Sequence, residues 1–354
     1  MASFEKVGPI VPVVEAIRVD KVSPRARVFL GIRALISIAF ALIMLIPVVW
    51  LAITTFKTRP DAVSVPPKFI PYFQDGFLSD LCIDENGREK KACFEVTLEG
   101  ILGLFTQRRT LTQAQQAEYA KRTDLSWVDQ ILLKRGLAVT GPSQYVNRFK
   151  NSLIIAGTST MISVFFGLLA AYAFSRFEMP AKPDMLFFIL STRMLPPVVV
   201  TIPIFLMYRR LGIYDTHIGL ILLYTVFNLS LSVWLLKGFI DEIPREYEEA
   251  ALVDGYSRLQ AFARVVLPQA VTGIAATTVF CLIFAWNEYA FALMLTAEKA
   301  RTAPPSIPSV IGAGGVEWAV IAAGSMLFLI PVVVVTFALR RYLLRGVTFG
   351  AIRQ

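Results

Sequence analysis

Four polar residues lie where the surrounding sequence is apolar enough to cross a membrane: Arg193, Asn228, Asn287 and Glu288. An ionised side chain at mid-membrane costs at least about 2.5–3.5 kcal/mol, so such groups face protein or water rather than lipid. Two readings are open. The four line the path of a polar solute, or they pair between helices and lock a bundle together. Little else could do chemistry. His217 is the lone histidine, at the edge of an apolar run, and a metal site would want company. Cys281 sits inside an apolar run and reads as a small apolar residue. No Walker-type phosphate loop occurs, and no nucleophile–base pair suggests itself. The expectation is therefore a chain that is not an enzyme, carries no metal and binds no cofactor of its own.

The most informative stretch is charged. Residues 245–268 read REYEEAALVDGYSRLQAFARVVLP and separate two membrane-length apolar runs. Pro244 suits a first helical position, where its missing N–H is not needed. Glu246, Glu248 and Glu249 then fall near the positive end of the helix dipole. Ala250 and Ala251 favour helix and let a partner surface come close. Gly255 can take the positive φ that stops a helix. Ser257 and Gln260 have capping-box spacing for a second short helix, which Pro268 ends or bends. The predicted product is a helix–Gly–helix elbow with small residues on one arm; a plain amphipathic connector is the bland alternative.

These elements must be positioned by a membrane protein. The chain has 354 residues, 55% of them hydrophobic, with a mean hydropathy of +0.60. Spanning the bilayer core takes about 20 apolar residues. Six runs qualify: 34–54, 152–174, 185–207, 217–236, 269–295 and 318–339. Six spans put both termini on one side. Lys and Arg gather in 1–33, 175–184, 237–268 and 340–354 and are sparse in 208–216 and 296–317. By the positive-inside rule both termini and the elbow are cytoplasmic. The net charge of +9 partly follows from this bias, and the scatter of basic residues argues against nucleic acid as a partner. The first run is too long for a signal-peptide core.

The segments read as follows: a cytoplasmic tail, 1–33; a first span, 34–54; a periplasmic insert, 57–147; a transport core, 148–345, containing the elbow at 241–268; and a cytoplasmic tail, 346–354. The insert opens with Pro60, Pro66, Pro67 and Pro71, which favour extended chain. A helix is predicted near 110–135, with Thr112 and Gln115 at capping-box spacing. Cys82 and Cys93 fall in an oxidising compartment by this topology and are expected to pair. The third span is broken by Pro196, Pro197 and Pro203, which is tolerated where freed carbonyls meet protein or water. The loop 296–317 is stiffened by Pro304, Pro305 and Pro308 and can turn at Gly312, Gly314 and Gly315.

Glu249-Ala250-Ala251, Gly255, a nine-residue gap, Val265 and Leu267-Pro268 resemble the EAA loop of ABC-importer permeases, with Val265 a conservative departure. Arg193-Met194-Leu195-Pro196-Pro197, Leu211 to Thr216, Trp286-Asn287-Glu288-Tyr289, and the tail from Arg341 to Ala351 resemble carbohydrate permeases of the maltose inner-permease type. The long insert departs from the shorter permeases. The resemblance implies an all-helical, six-span type I ABC-importer fold. It implies a sugar or polyol substrate, with a non-carbohydrate solute as the alternative. It implies a related second permease, two copies of an ABC ATPase that bind ATP and Mg, and a periplasmic solute-binding protein. Coupling to the ATPase would fall to Glu248, Glu249, Ala250, Ala251, Asp254, Gly255, Leu267 and Pro268. The outer loop with Pro304, Pro305 and Pro308 would reach the binding protein. In such pairs most substrate contacts come from the other permease.

Overall fold

A computed structural model describes residues 24–73, 82–83, 90–122, 124–133, 136–307, 311–312 and 315–349. The chain divides into two units, Met1–Val49 and Trp50–Gln354. The first contains most of helix α1, Pro24–Thr55, whose stretch from Phe29 is apolar enough to span a membrane. The second contains everything that follows.

The insert folds as a small mixed cap. A helical turn at Arg59–Ala62 starts with Pro60 in its first turn, so the proline-rich opening is not wholly extended. Strands β1, Ile70–Tyr72, and β2, Cys93–Glu95, pair in parallel, and a disulfide joins Cys82 to Cys93 beside Tyr72. The predicted helix near 110–135 is two short ones, Gln113–Tyr119 and Trp127–Leu133. Thr112 and Gln115 form the expected capping box, but the intervening chain has too few apolar positions to carry one helix through. Strands β3, Thr106–Thr110, and β4, Leu137–Pro142, form an antiparallel ribbon with an irregularity at Gln107/Arg108.

The cap is fastened to the core by close backbone approach. At Gly100 a Cβ would lie 2.3 Å from the Thr55 carbonyl oxygen and 2.7 Å from that of Ala319. Arg108 pairs with Glu317, at the head of the last span. Leu104, Tyr145, Ala303 and Val320 make a shared apolar cluster.

The core contains two long uninterrupted helices, α2, Tyr145–Arg176, and α5, His217–Asp241. They pack closely because Gly167 of α2 faces Ser232 of α5; a Cβ at Gly167 would lie 2.3 Å from the Ser232 Cβ. Between them in sequence, α3, Lys182–Ser191, and α4, Pro197–Leu211, form an apolar helix pair bent by 90° at Leu195-Pro196. Pro197 opens α4 and Gly212, at φ 69°, closes it. The N–H of Gly212 donates to Arg209 and that of Ile213 to Tyr208, the paired bonds of a Schellman ending.

After α5 comes α6, Arg245–Val253, then α7, Arg258–Ala261, which continues through a π turn, Phe262–Val266, to Leu267–Gln269. A bend of 73° leads into α8, Val271–Trp286. The predicted span 269–295 is interrupted at Asn287–Tyr289 before α9, Ala290–Leu295. The last helix, α10, is Trp318–Phe349. Among the described residues, four helices are thus long and apolar enough to cross a membrane as they stand, or up to six if each bent pair counts as one span. Part of the expected tail 346–354 is helical, and 350–354, like 1–23, lies outside the described residues.

Widening the α2–α5 contact should cost stability. Gly167→Val adds bulk where the Ser232 backbone and Cβ leave no room, an overpacking that costs about 1–3 kcal/mol. The expected outcome is a lowered unfolding temperature in detergent; an unchanged one would show that the two helices can part freely.

Candidate functional site: an elbow and a cavity at two helix breaks

The elbow is built from its anchors outward. Glu248 is buried, accepting from Arg176 Nε at 2.9 Å and from the Tyr172 hydroxyl, both at the end of α2. Arg176 also donates to the Ile243 carbonyl at 2.9 Å, and Arg245 donates to that of Ser175 at 2.9 Å. Ala251 is buried on the same face. Of the coupling set read from the sequence, Glu248 and Ala251 thus face into the protein rather than outward. They face inward because α6 has to bury one stripe against α2, and positions three apart share that stripe. Glu249, Ala250, Asp254 and Gly255 are exposed instead, together with Val253 and Leu259.

Gly255 has φ +90°. Its N–H donates to Leu252 at 3.1 Å and that of Tyr256 to Ala251 at 3.0 Å, a second Schellman ending. No atom lies within 4 Å of where its Cβ would be, so the position demands glycine for its backbone and leaves open space in front. Ser257 and Gln260 form the reciprocal capping box that starts the other arm. Pro244 sits one residue before the helix rather than in its first position. Leu267 packs on the inner cluster around Phe262 and Val266, while Pro268 is exposed at the bend.

Deeper in the core, Arg193, Asn228, Asn287 and Glu288 line one cavity of about 480 Å³ with Tyr224, Phe227, Phe284, Tyr289 and Phe291. Arg193 donates to the Phe227 carbonyl at 3.2 Å, and its guanidinium lies 4.2 Å from the Phe284 ring centre. Asn228 is buried and donates to the Cys281 carbonyl at 3.1 Å. Glu288 accepts from the backbone N–H groups of Phe291 and Ala292 and so caps α9; the Tyr224 hydroxyl is 3.4 Å away. Asn287 donates to the Ile283 carbonyl at 2.9 Å and is exposed. The four border one cavity; Arg193 and Asn228 reach carbonyls of neighbouring helices, whereas Asn287 and Glu288 serve the helix ends at the break. No ion pair between Arg193 and Glu288 is present among the described residues. Trp286 is locked by its indole N–H to the Phe328 carbonyl and by ring stacking on Phe328. His217 Nε2 is 2.8 Å from Asn151 Oδ1, an interhelical contact. Among the described residues no group of metal-ligating side chains converges.

The outer loop is more tied down than its sequence suggests. Pro304 and Pro305 form a 3₁₀ turn, and Pro305 and Ala303 are buried, so these residues shape the base of the loop. Pro308 lies outside the described residues. The hairpin formed by Ile311–Gly312 and Gly315–Val316 is the described part farther along.

Asp215, within the Leu211–Thr216 stretch, holds the loop's start. At φ 54° it points its carboxylate at the N–H groups of Ala297, Glu298, Lys299 and Ala300, at 3.0–3.2 Å. Partial burial alone would raise its pKa. The four backbone donors outweigh that and hold it below the ordinary carboxylate value.

Residues 163–349 match the family described as binding-protein-dependent transport system inner membrane component. The probable ABC transporter permease protein y4oR of Sinorhizobium fredii is 28% identical over 313 residues, 88% of this chain and 92% of that one. A match of that length runs through much of the insert. The trehalose transport system permease protein SugB of Mycobacterium tuberculosis is 38% identical over 206 residues, 57% of this chain and 75% of SugB. Among solved structures, a bacterial ABC transporter that imports the acidic polysaccharide alginate aligns with a TM-score of 0.58 at 19% identity, covering 91% of this chain and 98% of that one. The fold is that of type I ABC-importer permeases. The chain belongs to the family of binding-protein-dependent inner-membrane transport components, and is a multi-pass transport subunit rather than an enzyme.

Because Asp215 binds its proton less readily folded than unfolded, its contribution is present above the ordinary carboxylate range and lost as pH falls through its lowered pKa. Amide exchange at 297–300 should therefore stay slow at pH 5, and Asp215→Ala should speed it at least about tenfold at that pH. Equal protection in the variant would show that the loop is held by packing alone.

Proposed function

We propose that this chain forms half the pore of an ATP-driven importer for a sugar or polyol. It pairs with a related permease, beneath a periplasmic solute-binding protein and above two copies of an ABC ATPase. ATP and Mg bind those ATPase chains. Both termini and the elbow face the cytoplasm, and the cap on residues 57–147 faces the periplasm.

One observation carries the coupling role. The elbow buries a charged anchor on one face and exposes Glu249, Ala250, Val253 and Gly255 on the other. A helix held so firmly, with small and apolar residues outward, suits a close-fitting protein surface. Glu249 is the exposed acid that pairs with a basic residue there. Leu267 and Pro268 set the bend from which the elbow hangs.

The sugar reading is supported by the cavity. Aromatic rings with a few polar groups suit a ligand that offers both apolar faces and hydroxyl edges. Its volume, about 480 Å³, is within the range of small-ligand sites. The likeness to SugB, whose name specifies trehalose, points the same way.

The elbow gives the decisive test. Gly255→Ala meets no atom and costs only the positive φ, roughly 1–2 kcal/mol. Gly255→Asp adds a charge to the exposed face. The expected outcome is that Gly255→Asp reaches the membrane normally but no longer copurifies with an ATPase, while Gly255→Ala retains partial association. Glu249→Ala should weaken association with little change in thermal stability, whereas Glu248→Ala should lower stability by about 3 kcal/mol by leaving Arg176 unpaired. Full ATPase association by Gly255→Asp would refute the coupling role. A thermal-shift screen of the associated binding protein against sugars, polyols, amino acids and phosphate checks the substrate class, and stabilisation by an amino acid or phosphate alone would replace the sugar reading.

A further inference from the structure

Helix α2 is fastened at both ends, to the elbow at one and to the outer loop at the other. At its inner end, Arg176 binds Glu248 and the Ile243 carbonyl, the Ser175 carbonyl accepts from Arg245, and Tyr172 binds Glu248. The coupling helix α6 is thus held by the last turns of α2. At its outer end, Asn151 donates to the carbonyls of Lys299 and Arg301 at 2.9 and 3.0 Å. Ser152 accepts from the Ala303 N–H at 2.9 Å. The same helix therefore also holds the outer loop.

We propose that α2 is a strut that carries the displacement of the elbow to the outer loop, with Arg176 and Asn151 as positioning residues at its two ends. The inference rests on the importer reading above.

The physical grounds are rigidity and closure. Between Tyr145 and Arg176 the helix has no proline and no break, so Asn151 and Arg176 are separated by about 37 Å of continuous helix. The close approach at Gly167 and Ser232 packs it on α5, which limits bending. At the inner end the Arg176 and Glu248 side chains are only 5% and 6% exposed. Opening that pair would strand a buried charge, so it stays closed when the elbow moves. A displacement imposed on α6 must then displace α2. The outer loop has little freedom to absorb such a movement, because Asp215 clamps 297–300 and Ala300 and Ala303 are fully buried. A fastening role for the fold alone would explain each end separately. It would not connect them.

The test reads movement at one end while the other is altered, and needs no knowledge of the solute. Lys299 is exposed, the Cys82 and Cys93 sulfurs are bridged, and Cys281 is buried, so Lys299→Cys gives a single reactive thiol. In the assembled complex, its reaction with a membrane-impermeant maleimide is compared without nucleotide and after trapping with ATP and vanadate. We expect the rate to change at least about fivefold, the lower end of ordinary coupling between sites. Adding Glu248→Gln, about 37 Å away along the strut, should abolish the change, as should Asn151→Ala. If Glu248→Gln does not assemble, Tyr172→Phe removes one bond to the same carboxylate and takes its place. A change that persists in the inner-end variants overturns the strut, as does a complex that hydrolyses ATP without any change at Lys299→Cys. If no ATPase assembles with the unaltered chain, the importer reading itself falls, and the strut with it.

Discussion

In the hydrocarbon core of a membrane, every backbone N–H and C=O must find a partner within the protein. This constraint decides where the chain can depart from helix. It departs at Leu195-Pro196, between α3 and α4, and at Asn287–Tyr289, between α8 and α9. Both breaks border the same cavity. At this cavity Glu288 caps a new helix, Pro197 starts one without needing a donor, and Arg193 reaches across to the Phe227 carbonyl of α5. The residues that satisfy the breaks are also the polar residues of the cavity.

The elbow obeys a different rule. Outside the bilayer its backbone could be solvated, so its shape is fixed by what it must present. Two adjacent glutamates divide the work. Glu248 is drawn into a buried network with Arg176 and Tyr172, and Glu249 faces outward. Neighbouring positions on a helix point about 100° apart, so one inward contact settles the direction of the other. The left-handed residue at Gly255 and the capping box at Ser257 then turn the chain sharply enough for α7 and its π turn to run back toward the core.

Local geometry was the more legible part of the sequence. The positive φ at Gly255, the capping boxes at Ser257 and Thr112 and the break at Pro196 can each be reasoned from a few neighbouring residues, and the Cys82–Cys93 pair from the side of the membrane its segment was assigned. Direction was not legible. Nothing near Glu248 says which face of α6 meets α2, because Arg176 lies far back in sequence and looks like an ordinary basic flank of a span. Asp215 resembles any acid in a short loop until the partner segment 297–300 is placed beside it. Pro305 reads as a stiffener of an exposed loop, yet it is buried, because the apolar cluster of Leu104, Tyr145 and Val320 lies close by. A proline count cannot reveal that. The composition of the insert pointed to a small cap, but its fastening through Gly100 and the Arg108–Glu317 pair depends on contacts with the far end of the chain.

A permease that works only through its elbow moves solute only when a separate ATPase drives it. Flux of radiolabelled sugar into liposomes tests that most directly, comparing the purified chain alone with the complete complex and ATP on the elbow side. No flux is expected through the chain alone, and accumulation above the external concentration only with ATP and the binding protein present. Sugar equilibrating through the chain by itself would contradict it, because an autonomous channel or secondary transporter has no use for the elbow.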